Sequence, residues 1–117
     1  MIKPIIVKNN IIPAMCSIFI PVAAITLWPF IFVRKEHANN KILLNHETIH
    51  CQQYLELWII GMWFIYIFDW IHGIIKYRNP RKAYFRIRVE QEAYYWQRNL
   101  LYPDNRIKYA WRTFYKV

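Results

Sequence analysis

Residues 45–53 read Asn-His-Glu-Thr-Ile-His-Cys-Gln-Gln and contain the pattern His-Glu-x-x-His. On a helix, His46 and His50 differ by about 40° around the axis and project from one face, one turn apart. Two neutral imidazoles in that arrangement bind one zinc ion through nitrogens at about 2.0–2.1 Å. Glu47 would lie beside the pair, within reach of a zinc-bound water. The stretch therefore predicts a helix and a zinc site that needs a third ligand from elsewhere in the chain.

The flanking sequence favours a helix over residues 40–57. Asn39 or Asn40 can accept hydrogen bonds from the first turn and cap the N-terminus. No proline occurs between Phe30 and Pro80, and apolar residues recur at helical spacing at Ile42, Leu43, Ile49, Tyr54 and Leu57. The motif alone also allows a plainer interpretation, in which a half-exposed helix carries two histidines without binding a metal.

The composition indicates a single domain, 1–117, with more apolar surface than its size can hide. Of the 117 residues, 56% are hydrophobic and 19% aromatic, and the net charge is +9. We expect contact with a membrane or formation of an oligomer, and the positive charge favours an anionic membrane surface. The chain carries no nucleic-acid-binding motif, so we expect no nucleic acid partner. Cys16 and Cys51 do not suggest a disulfide framework.

The first 36 residues are predicted to form a β region. No residue from 11 to 33 is charged, and this segment is long enough for a transmembrane helix. Prolines at positions 13, 21 and 29 argue against a helix. We expect strands at residues 5–7, 18–20 and 24–33, the last with Pro29 at an edge position. The predicted fold class is α+β, with a short N-terminal antiparallel β-hairpin or meander followed by three helices.

Residues 57–77 form a second long apolar segment. As a helix, these 21 residues would span about 31 Å, close to the hydrocarbon thickness of a bilayer. A group of basic residues follows and favours the cytoplasmic side: Lys76, Arg78, Arg81 and Lys82. We therefore predict a membrane-associated protein with these basic residues on the cytoplasmic side of the membrane. The alternative is that this helix packs inside a soluble cytoplasmic domain.

A third helix is predicted over residues 81–101, followed by a basic, aromatic tail at 102–117. This helix carries two candidates for the third zinc ligand, Glu90 and Glu92. They lie about 200° apart around the helix axis, so only one of them can face the zinc. The residues alone leave open which of the two it is.

The order of these motifs resembles that of the gluzincin metallopeptidases. In that family a His-Glu-x-x-His helix is followed, a few dozen residues later, by a helix with Glu-x-x-Ala-Asp or Glu-x-Glu-Ala. Here residues 90–94 read Glu-Gln-Glu-Ala-Tyr. The resemblance implies a minimal gluzincin-like core in which Glu90 is the third ligand, with Glu92 as the alternative. Tyr94 departs from the family pattern, because it replaces an Asp that orients a ligand.

A closer resemblance is to small membrane-associated bacterial proteins of about this length, of a type associated with Bacteroidetes. The matching segments run in the same order through most of the chain, at residues 31–35, 45–53, 57–75, 77–79 and 90–94. This resemblance also implies a compact gluzincin-like core and a location at the inner, cytoplasmic membrane of a bacterium.

Together these features predict a zinc metallopeptidase that acts on a peptide or protein substrate. His46, His50 and Glu90 would hold one zinc ion, and Glu47 would act as general base. The strand at 24–33 would bind the substrate in extended form. Three residues are candidates for stabilising the oxyanion: His72, Tyr94 and Tyr95. The alternative function is that of a small, non-catalytic, membrane-associated protein that binds metal without turnover.

Overall fold

A small mixed β-sheet lies at the N-terminal side of the domain and is followed by helices. The computed structural model describes residues 5–8 and 24–114. The sheet contains β1 (Ile5–Lys8), β2 (Ala24–Leu27) and β3 (Phe30–Val33) in the order β1-β3-β2. Five α-helices follow: α1 (Lys41–Glu56), α2 (Ile60–Tyr77), α3 (Pro80–Phe85), α4 (Arg88–Trp96) and α5 (Tyr102–Asn105). The predicted α+β class is confirmed.

Residues 24–33 form a β-hairpin, whereas the sequence predicted one continuous strand. Trp28 and Pro29 make the turn, and Leu27 is the register partner of Phe30. Proline has no N–H for the ladder, which suits it to a turn better than to a strand interior. The sheet also departs from a purely antiparallel meander, because β1 pairs with β3 in parallel. The strand predicted at residues 18–20 lies outside the described residues.

Helix α1 matches the helix predicted over residues 40–57. The Asn40 side chain accepts a hydrogen bond from the backbone N–H of Leu43 at 3.1 Å, which caps the first turn. Its buried residues are mostly polar: Asn45, His46, Glu47, Ile49, His50, Cys51, Gln53 and Tyr54. A helix that buries polar groups must satisfy them with specific partners. Those partners come from β2 and α4, against which α1 packs.

Helix α2 corresponds to the predicted apolar segment but begins after a sharp turn. Trp58 and Ile59 in this turn have positive φ angles of 58° and 64°, a conformation that costs energy for side chains of this size. Within the described ranges, no single helix has the length and hydropathy required to cross a membrane. Helices α1 and α2 meet that criterion only as a pair, with a bend of 113° between them. The embedding of residues 57–77 in a membrane, in whole or in part, stays a prediction.

The single helix predicted over residues 81–101 is divided into α3 and α4 at residues 86–87. The division has a tertiary cause, because Asp69 of α2 binds the first residue of α4. The Asp69 carboxylate accepts hydrogen bonds from the backbone N–H of Arg88 at 3.1 Å and from its guanidinium at 2.8 and 3.0 Å. An acidic group at a helix N-terminus also interacts favourably with the helix dipole. The new N-terminus sets the rotation of α4.

The C-terminal segment docks onto α4 through a 3₁₀ turn, Ala110–Phe114. Its Trp111 is buried in a core cluster with Tyr54, Met62, Ile87 and Val89. Before this turn, the Arg106 guanidinium binds both Glu56 and Glu92. The segment therefore joins the C-terminal end of α1 to the middle of α4.

Helices α2 and α3 approach most closely at Gly73. A Cβ added at Gly73 would lie 2.8 Å from the Cβ and 3.0 Å from the Cα of Ala83. Because Ala83 is fully buried, neither group can move without shifting a helix. We expect Gly73→Ala to lower the free energy of unfolding by about 1–3 kcal/mol, measured by chemical denaturation.

Gly61→Ala is the matched control, because Gly61 lies in the same helix. A Cβ there would lie 3.3 Å from the Cβ of Leu57, a contact that a shift of a few tenths of an ångström relieves. We expect a change of less than about 1 kcal/mol, since alanine favours the helix. Equal stability of the two variants would contradict the tight α2–α3 contact.

Candidate metal centre

Three buried side chains from α1 and α4 bring their donor atoms together. His46 Nε2 lies 3.2 Å from His50 Nε2, and each nitrogen lies 3.1 Å from Glu90 Oε1. The three residues are 4–5% exposed. Among the described residues, this is the group of His, Cys, Asp and Glu side chains whose geometry suits a metal ion. The two histidines come from one face of α1, as their spacing predicts.

The size of this triangle fits zinc. Ligands held at 2.0–2.1 Å in a tetrahedron lie about 3.3 Å from one another. The observed separations of 3.1–3.2 Å need only a small expansion to reach that value. Two imidazoles and one carboxylate also form a ligand set of catalytic zinc sites, which keep the fourth position open.

Two glutamines fix the imidazoles in the orientation that a metal requires. His46 Nδ1 lies 2.9 Å from Gln97 Oε1, and His50 Nδ1 lies 2.8 Å from Gln53 Oε1. An amide oxygen only accepts, so each Nδ1 carries its proton, and Nε2 is the nitrogen that can bind a metal once it has lost its own proton. The amide of Gln53 is itself oriented, because its nitrogen donates to the Val89 carbonyl at 3.0 Å.

The second oxygen of Glu90 is held by a phenol. Tyr66 of α2 donates to Glu90 Oε2 at 2.8 Å. Burial and the charge of Glu90 raise the pKa of Tyr66 well above its usual value, so the phenol remains a donor. Burial by itself would raise the pKa of Glu90, but the two imidazoles hold that pKa well below its usual range. The carboxylate is therefore ionised, as a metal ligand must be.

The same electrostatic coupling acts on His50. Burial lowers the pKa of this imidazole, whereas the charge and the hydrogen bond of Glu90 raise it, and the result is a pKa of about 9. Without a metal the carboxylate thus favours a proton on the imidazole. The site attracts positive charge, whether as a proton or as a cation.

Glu47 lies next to the triad and is held by the sheet. Thr26 of β2 donates from Oγ1 to Glu47 Oε2 at 2.7 Å, and the Glu47 carboxylate is almost fully buried. A cavity of about 110 Å³ opens between β2, α1 and α2. Its walls include Glu47 and two of the three donor residues, His50 and Glu90. The other lining residues are mostly apolar or aromatic: Ala24, Ile25, Thr26, Tyr54, Met62, Trp63, Tyr66 and Tyr84.

The alternative third ligand, Glu92, lies in a separate network. Its carboxylate accepts hydrogen bonds from Arg106, from the Tyr102 phenol at 2.7 Å and from Gln53 Nε2 at 2.9 Å. The structure thus brings Glu90, and not Glu92, to the histidines. Glu92 still supports the centre, because it orients the Gln53 amide that holds His50.

The three oxyanion candidates lie in different places. Tyr94 is adjacent to the triad, since its ring packs edge-on against His46 with 4.5 Å between ring centres. Tyr95 is 70% exposed and packs against Trp96 and Phe114. His72 lies on the exposed side of α2, stacked on Phe68. Of these three, only Tyr94 contacts a donor residue through its ring.

Sequence reasoning missed several residues that complete the centre: Thr26, Gln53, Tyr66 and Gln97. Two of them carry a signal in hindsight. Gln53 follows His50 by one helical turn, and Gln97 follows Glu90 by about two turns, so each shares a face with a ligand. Thr26 and Tyr66 carry no such signal, because they come from other elements.

Comparison with known proteins adds no family to this geometry. No protein-family model, no curated protein and no solved structure matches the chain. The resemblance to gluzincins therefore rests on the motif residues alone.

The role of Gln97 predicts a measurable loss of zinc affinity. Gln97→Leu removes the acceptor for the His46 Nδ1 proton and leaves the three donors in place. We expect zinc affinity to fall about 10–100-fold, measured by competition with a chromophoric chelator.

Gln91→Leu is the matched control in the same segment of the chain, because the Gln91 amide donates to the Arg86 carbonyl at 2.8 Å instead of holding a histidine. Its zinc affinity should equal that of the wild type. The same affinity in the Gln97 variant would contradict the orienting role of this glutamine.

Proposed function

We propose that this protein is a zinc-dependent peptidase. One observation carries the proposal: the Glu47 carboxylate lines the same cavity as His50 and Glu90, two of the three donors. A general base and a metal centre that face one cavity are the elements of metal-assisted hydrolysis.

A zinc ion bound at the centre would lower the pKa of its water and polarise a substrate carbonyl. The task of Glu47 is to accept the proton of that water and to pass it to the amine that leaves. Thr26 holds one oxygen of the carboxylate at 2.7 Å, which keeps Glu47 in one orientation. A fixed base is more effective because no reorganisation is needed at the moment of proton transfer.

Tyr84 is our candidate for the donor to the oxyanion. It lines the cavity, and its hydroxyl lies 3.1 Å from that of Tyr94. Burial and the charge of Glu90 raise the pKa of Tyr84 far above its usual value. The phenol therefore keeps its proton and can donate a hydrogen bond to negative charge that develops on the substrate.

The substrate would lie along β2. Within the described part of the sheet β2 is an edge strand, and it forms one wall of the cavity. An extended peptide can add to such an edge through main-chain hydrogen bonds. The Thr26 carbonyl already accepts from the Tyr54 hydroxyl at 2.9 Å, so the peptide would use the neighbouring backbone groups. The largely apolar cavity walls favour an apolar side chain in the substrate.

The variant Glu47→Gln tests this function. It keeps the shape of the side chain but cannot accept a proton, so zinc should stay bound while hydrolysis falls at least about 10²–10⁴-fold. Hydrolysis is measured with a mixture of fluorescence-quenched peptides, and zinc by elemental analysis of the same samples.

Glu36→Gln is the matched control, because Glu36 is an exposed carboxylate outside the cavity. It should hydrolyse the peptides like the wild type. Undiminished hydrolysis by the Glu47 variant would remove this residue from the mechanism. A zinc-loaded wild type that cleaves no peptide would instead favour the non-catalytic metal-binding protein.

A further inference from the structure

One side of α2 exposes a continuous apolar stripe. Each of its large side chains is 49–73% exposed. At 100° per residue they fall within about 100° of the helix circumference and extend for about 23 Å. The members of this stripe are Ile60, Phe64, Ile67, Phe68, Ile71 and Ile75.

The opposite side of α2 belongs to the domain core. Met62, Asp69 and Gly73 are buried there, on the face that contacts α3 and α4. The stripe therefore faces away from the domain. An exposed apolar surface of this length on a small protein marks an interaction site.

The exposed charges near this stripe are basic and lie at one end of it. The sole acidic residue between positions 60 and 86 is Asp69, which is 2% exposed and paired with Arg88. Exposed basic residues gather just beyond the C-terminal end of the stripe: Lys76, Arg78, Arg81, Lys82 and Arg86. Lys82 and Arg86 lie over the Tyr77 ring at 4.5 and 5.8 Å. The other end carries Trp58, which is 87% exposed.

We infer that α2 lies flat in the interface of an anionic lipid membrane, with the stripe buried among the acyl chains. An amphipathic helix with apolar residues on one face and basic residues beside it binds in this way. The basic cluster would contact anionic headgroups, and Trp58 suits the interfacial region. A second copy of the chain suits the stripe less well, because a net charge of +9 on each copy opposes self-association.

This orientation has a consequence for the cavity, which rests on the proposed peptidase function. Trp63 lines the cavity and is 42% exposed at the border of the stripe. With α2 in the interface, the cavity wall formed by Trp63 would lie close to the lipid surface. The substrate would then be a peptide segment that lies at or emerges from the bilayer.

Flotation with lipid vesicles tests the membrane surface. Vesicles of phosphatidylcholine with phosphatidylglycerol should carry the wild type to the top of a density gradient. Pure phosphatidylcholine should do so more weakly, and added salt should reduce the binding. The triple variant Phe64→Gln, Phe68→Gln, Ile75→Gln should lose binding by more than tenfold.

The matched control is Tyr95→Gln, Leu101→Gln, Ile107→Gln, which removes three other apolar side chains of similar exposure, 68–78%. It should float like the wild type.

Replacement of Arg81, Lys82 and Arg86 by Gln should weaken binding to anionic vesicles about a hundredfold. The matched control replaces Lys41, Arg98 and Lys108 by Gln and should have a smaller effect. Thermal unfolding confirms that each variant is folded.

The result that would overturn the inference is a wild type that stays at the bottom of the gradient with anionic vesicles. A dimer in solution that dissociates in the stripe variant, without vesicle binding, would assign the surface to a second copy and would also overturn it. Glu47→Gln should float like the wild type, so a failure of the peptidase proposal leaves this test intact.

Discussion

The buried carboxylate of Glu90 lies between two buried imidazoles, and this contact governs how α1, α2 and α4 pack together. Removing an ionised carboxylate from water costs several kcal/mol unless partners of opposite charge or hydrogen-bond donors replace the water. Glu90 obtains them from His46, His50 and Tyr66. Because these partners lie on α1 and α2, the positions of both helices relative to α4 are fixed by a few hydrogen bonds rather than by apolar packing alone.

Helix α4 is held in register by groups that never touch the donor triangle. Asp69 binds the first residue of α4, and Arg106 binds Glu92 and Glu56 from the other side. Both networks are buried charge pairs, in which the cost of desolvation offsets much of the mutual attraction, so we attribute to them the position of α4 rather than a large gain in stability. Most of the buried polar groups in the described residues thus help to place Glu90 opposite the histidines. Such an arrangement is expected of a functional site and is unusual in a simple apolar core.

The sequence predicts the local parts of this arrangement well and the tertiary parts poorly. The helix carrying His46 and His50 follows from periodicity and capping, and their shared face follows from a spacing of four residues. The choice between Glu90 and Glu92 needs the rotation of α4, which Asp69 sets from a different helix. The prediction of one continuous helix over residues 81–101 was wrong for the same reason, because Asp69 of α2 also causes the break at residues 86–87. Thr26 and Tyr66 reach the centre from distant elements, and no local pattern reveals them.

The assignment of the metal centre is tested by the zinc content of the protein after loading and removal of free metal. We expect about one zinc ion per chain in the wild type and its loss in both His46→Ala and Glu90→Ala. His72→Ala, which removes an exposed histidine on α2, should keep the metal. A wild type without zinc, or a Glu90 variant that retains it at wild-type affinity, would contradict the assignment of this centre.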